Sequence, residues 1–217
     1  MSVEHVNESI SIKGNIKITE TIYDENDNVV DVVVTEHKNL VLNSMRIVLR
    51  DLVFLGVNPP SIDYQNPGLS INKAVVNLVM ASGGLTANDS MYKWQHPTEP
   101  LPNGGGLSVS ETDTEMQGYI FKVPLKANTE GKQYMFLENY TDPTTLVESP
   151  TVRYSFEIPK TAGNGPEGIS QGYVQIGLES AYRSTGVEKY VLLTKAIVPI
   201  ILKSQTSAIT IDYTLLF

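Results

Sequence analysis

The residues of this chain whose types could do chemistry are few and scattered: His5, His37 and His96, the single tryptophan Trp94, and the acids Glu111, Asp113 and Glu115. No second histidine stands at ligand spacing from any of the three, so the pattern offers no zinc site. No Gly-x-Ser-x-Gly elbow occurs to present a serine nucleophile. Glu111, Asp113 and Glu115 alternate in one loop, and paired carboxylates are what glycoside cleavage requires. Nothing near them in sequence would desolvate one acid and raise its pKa, so they read as a solvated acidic rim. Asp24, Asn26 and Asn28 alternate like the first ligands of a calcium loop, but Val29 stands where the glycine is needed and Thr35 where the closing glutamate belongs. That stretch reads as a polar hairpin tip. Asn103-Gly-Gly-Gly106 lies among prolines with no lysine after it and is no phosphate cradle. The reading is of a protein without catalytic residues, metal or cofactor.

The side chains best placed for recognition are Tyr92, Trp94 and His96, with Glu111, Asp113 and Glu115 closing the same loop. They would contact a neighbouring subunit or, alternatively, a glycan stacked on the tryptophan. A loop of about thirty residues exceeds an ordinary connection and marks a functional or interacting arm.

Whole-chain properties narrow the partners. The 217 residues carry 16 Lys plus Arg and 24 Asp plus Glu, a formal charge of −8. An acidic chain without a basic cluster is poorly suited to nucleic acid or to an anionic membrane surface. The most apolar run, 190–202, is interrupted by Lys195 and Pro199 and is too short to span a bilayer. There is no cysteine, hence no disulfide and no thiolate ligand. Residues 1–9 lack the basic start and apolar run of a signal peptide, so synthesis in a cytoplasm is expected.

The elements that must position these residues are strands. Ile209, Ile211, Tyr213, Leu215 and Phe217 alternate with Thr210, Asp212 and Thr214, the period of a half-buried antiparallel strand. Ile10 to Ile22 alternates in the same way and returns through Val29–Thr35, making a hairpin over 9–36. Further strands are predicted at 74–81, 118–125, 133–138, 151–158, 172–180 and 190–203, with 118–125 and 133–138 taken as a pair. Pro199 inside such a run predicts a bulge, an edge or a passage between sheets. One helix is expected after the cap Asn43, where Met45, Val48, Leu49, Leu52, Val53 and Leu55 form an apolar stripe. The expected fold is mainly β: a single domain, 1–217, built as an antiparallel, jelly-roll-like β-sandwich with one short helix and long loops. It comprises a hairpin plus helix over 9–56 and a loop insertion at about 82–117.

Three segments in this order carry a resemblance: the hairpin leading into His37-Lys-Asn-Leu-Val-Leu-Asn-Ser-Met45, then Gly172-Tyr-Val-Gln-Ile-Gly-Leu178, then Ala196-Ile-Val-Pro-Ile-Ile-Leu-Lys203 with Ile209-Thr-Ile-Asp-Tyr213. The arrangement resembles structural proteins of tailed-bacteriophage virions: tail, baseplate or fibre-attachment subunits and capsid accessory proteins. It covers about 9–56 and 172–217; residues 57–117 depart from it. The resemblance implies a non-enzymatic subunit, made in the bacterial host and residing in the virion. Its partners would be copies of itself and other virion structural proteins. About ten strands in one chain also leave unpaired edges that a symmetric oligomer can cover.

Overall fold

The computed structural model describes residues 12–45, 70–71, 75–83, 86–88, 93–95, 113–141, 144, 148–165, 170–184 and 187–217. Thirteen strands run through them: β1 (Lys13–Tyr23), β2 (Val29–Val41), β3 (Ser70–Ile71), β4 (Asn77–Ala81), β5 (Thr86–Asn88), β6 (Lys93–Gln95), β7 (Ile120–Pro124), β8 (Met135–Thr141), β9 (Glu148–Ile158), β10 (Gln171–Ser184), β11 (Val187–Leu192), β12 (Thr194–Lys203) and β13 (Ser207–Leu216). The fold is mainly β, antiparallel and sandwich-like, as the alternating segments predict. It is made by one sheet that curls on itself, in the order β7-β4-β10-β12-β2-β1-β13-β9-β8. β5 and β6 form a separate small hairpin inside the long loop, where the sequence had suggested irregular chain.

Alternation decides which way each strand faces. In β13 every second residue from Ser207 to Leu215 is buried, and β1 and β9 flank it over nearly its whole length. The registers align Ile16, Tyr213, Tyr154 and Met135 in one row across four strands, and Ile18, Ile211 and Phe156 in the next. The opposing wall comes from β4, β10 and β12. Leu78, Met80, Tyr173, Ile176, Leu178, Ala196, Val198 and Ile201 join the same core. β10 is the central strand of that wall, with β12 and β11 along one side and β4 and β3 along the other.

Two features let one sheet supply both walls. Between Ile197 and Ile201, three residues of β12 stand opposite Val174 alone, and Pro199 points outward from this bulge. A proline donates nothing to a ladder, so a bulge is where a strand tolerates it. Among the described residues the walls are joined as one ladder where Leu40 and Val41 of β2 pair with Lys195 and Thr194 of β12. Beyond that point the two strands separate.

Differences from the sequence reading are instructive. Strands β7 and β8, expected as a pair, lie at opposite ends of the sheet, β7 beside β4 and β8 beside β9. Of the helix expected over 43–55, only the turn at 43–45 falls among the described residues.

A buried polar chain crosses the core. Asn39 Nδ2 donates to the Tyr213 hydroxyl at 2.6 Å, which donates to Thr194 Oγ1 at 2.6 Å, and Thr194 Oγ1 accepts the Leu178 amide at 2.9 Å. Burial pushes the Tyr213 hydroxyl far above the ordinary tyrosine range. Asn39 can lie flat over β1 only because Gly14 has no side chain there: a Cβ on Gly14 would coincide with the Asn39 amide. Gly14→Ala should therefore expel that amide, take from the Tyr213 hydroxyl the donor it accepts from, and lower stability by about 1–3 kcal/mol. Urea unfolding checks this, and Asn39→Ala in the same background should add little further.

Candidate functional site

The side chains singled out from sequence do not gather into one described site. Trp94 lies in β6, its main chain opposite Ala87 of β5; Tyr92, His96 and Glu111 lie outside the described residues. Glu115 is exposed. Asp113 corrects the sequence reading. It is not part of a solvated rim: its carboxylate is 3% exposed and meets the fully buried Lys195 ammonium at 3.0 Å. The physical reason lies in β12, which buries Lys195 on its way into the sheet; a buried ammonium needs a counter-charge. Lys195 Nζ also donates to the Glu115 carbonyl at 3.2 Å. Met116 packs with Leu42, Val79, Ala81 and Leu192 beside this pair. Ser82 and Gly83 donate to the Tyr119 and Gln117 carbonyls at 2.9 and 2.8 Å, so both ends of the long loop are stapled together. The Asp113 carboxylate and the Glu115 main chain anchor this end of the arm.

A second lysine of β12 is equally unlike a surface lysine. Lys203 is fully buried, and its ammonium donates to Ser204 O at 2.8 Å, Asn164 Oδ1 at 2.9 Å and Lys160 O at 3.3 Å. Burial pushes it down to about 8, with Glu20 acting against the shift. A lowered amine suggests a nucleophile, but all three N–H groups are occupied and no substrate can reach it. Lys203 braces the 160–165 turn. Near the hairpin base, an open cleft of about 720 Å³ is lined by Gly14, His37, Asn39 and Val41 among others. His37 Nε2 and Asn39 Oδ1 are buried and find no hydrogen-bond partner among the described residues. At the hairpin tip Asp24 Oδ1 accepts the Asn26 and Asn28 amides at 2.8 and 2.9 Å, a local turn that employs the carboxylate internally. Among the described residues no group of three or more His, Asp or Glu could hold a metal ion.

The strongest departure from an ordinary surface is at the strand edges. Residues 29–39 of β2 pair with β1 on one side only; among the described residues no strand lies on the other. Val29, Val30, Val32, Val33 and Val34 are each 41–59% exposed. β8 closes the far end of the sheet with Leu137 at 79% exposure and Met135 and Tyr140 also outside. Sequence reasoning placed β2 but passed over these valines. The available signal was the run Val29-Val-Asp-Val-Val-Val34, apolar on both parities, where a one-sided strand would alternate. An exposed, long, apolar edge is a template for pairing with another chain. Comparison of the chain with protein-family models, with curated proteins and with solved structures returns no match.

Two outcomes test these assignments. Asp113→Ala should cost about 3–5 kcal/mol by stranding the Lys195 charge, whereas Asp113→Leu combined with Lys195→Met should restore much of the loss in urea unfolding. For Lys203 the folded pKa lies below the ordinary 10.5. The folded state thus releases this proton first, and its penalty, complete below pH 8, fades as pH rises. Relative to Lys203→Met, the protein should gain roughly 1–3 kcal/mol between pH 8 and 10. Above pH 10 both proteins should lose stability alike, because burial holds Tyr154 up to about 12 and folding keeps a proton that the unfolded chain gives up.

Proposed function

We propose that this chain is a non-enzymatic structural subunit of a tailed-bacteriophage particle, a tail, baseplate or capsid accessory component that assembles through β-sheet contacts between subunits. The observation that carries this reading is the pair of open, apolar strand edges, β2 and β8. A free monomer blunts such edges with charge, proline or a covering segment; β2 presents five exposed valines beside only Asp31, Glu36 and Lys38. The buried ionisable groups support the same reading, since Asp113, Lys195 and Lys203 are each spent on holding loops to the sheet. The sequence resemblance supplies the kind of assembly. The formal charge of −8 would keep unassembled subunits soluble until their edges meet.

Mass spectrometry of purified particles from the host that produces the chain tests the proposal. The expected result is this chain at many copies per particle, retained through density-gradient purification. Its absence from intact particles, or its loss as a trace contaminant, would overturn the assignment.

A further inference from the structure

We infer that the free edge of β2 is a two-fold interface with a second copy of this chain, formed by antiparallel β2–β2 pairing centred on Val34. This rests on the assembly reading and names its contact. The stretch whose outer side has no partner strand among the described residues runs from Val29 to Asn39, with a one-residue bulge at Val30 on the β1 side, and its midpoint is Val34. A two-fold axis perpendicular to the sheet brings residues of equal parity opposite each other, so the register that uses the whole edge sets Val34 against its own copy. In that register Asp31 falls opposite His37 and Val32 opposite Glu36, with the bulged Val30 near Lys38. No charge meets a like charge, which directly opposed residues would make destabilising. A register centred on Asp31 or on Glu36 would set two carboxylates face to face.

The edge is also apolar on both faces, with Val32 and Val34 on one and Val33 on the other. On the first, Val32 and Val34 adjoin Thr21 and Thr19 of β1. A second β2 would cover both rows and satisfy the outward amides and carbonyls. An eleven-residue edge buries on the order of 1,000 Å² in total, the lower limit of a specific interface. The pair is therefore weak in isolation and becomes effective where many subunits are held together.

The absence of cysteine from the chain makes a single-cysteine scan clean. Opposed residues of an antiparallel pair stand about 4.5–5.5 Å apart between Cα atoms, within reach of a disulfide. Val34→Cys should thus cross-link to a dimer under mild oxidation. Val32→Cys and Val30→Cys should do so at least tenfold more slowly, since like positions there are about 13 and 26 Å apart along the strands. These sites are exposed, so the variants fold, and circular dichroism confirms it. Equal cross-linking at all three positions, or none at Val34, overturns the interface. If Val34→Cys fails while the chain is still found in particles, the edge assignment alone falls; if the chain is absent from particles, the assembly reading falls with it.

Discussion

The two residue pairs that join β2 to β12 govern the rest of this structure. Leu40 and Val41 meet Lys195 and Thr194, and over that short contact the two walls are one sheet. Beyond it they separate, one wall carrying β1, β13, β9 and β8 and the other β10, β4 and β7. A sheet that curls in this way encloses its core without a second chain. It does so at the expense of leaving one side of β2 without a strand, among the described residues, over the eleven residues before the junction, because β12 has turned away to serve the other wall. The open edge follows from how the core closes.

The same junction explains why buried charge occurs in a β protein with little chemistry to do. β12 must leave one wall and enter the other, and it carries a lysine at each end, Lys195 and Lys203. Each ammonium lies where loop backbone would otherwise lack a donor. Lys195 takes Asp113 and the Glu115 carbonyl, and Lys203 takes the Asn164 side chain and the Lys160 and Ser204 carbonyls. A buried ion pair is weak evidence for stability, since desolvation offsets its attraction. Its contribution here is geometric: a charge that can be satisfied in only one place fixes which loop meets which strand.

Strand identity was legible because it is local. The alternation of Ile209 to Leu215 specifies a face whatever the partner, and Pro199 announces its bulge through a missing donor. Partner choice was not legible, because it is settled at long range. β7 and β8 are near in sequence, yet β7 follows the exposed side of β4 and β8 that of β9. Asp113 failed for a related reason: its burial is decided by a lysine far along the chain, and the neighbouring Glu111 and Glu115 gave it the look of a surface cluster. The valines of β2 were visible but ambiguous. Apolar residues on both parities describe a strand buried on both faces equally well, as β10 in fact is.

That ambiguity carries a physical meaning. A strand whose composition suits the middle of a sheet, found at its edge, is in conflict with its surroundings as a monomer. β8 resolves part of this with Glu138, which pairs at 2.8 Å with Arg153 of the neighbouring β9, the guanidinium holding that carboxyl below its ordinary value. Between Val29 and Val34, β2 offers only Asp31 and a one-residue bulge at Val30 against these five valines. Adding a neighbouring strand would give these valines the two-sided burial their composition matches, and would complete the sheet at the point where folding left it open.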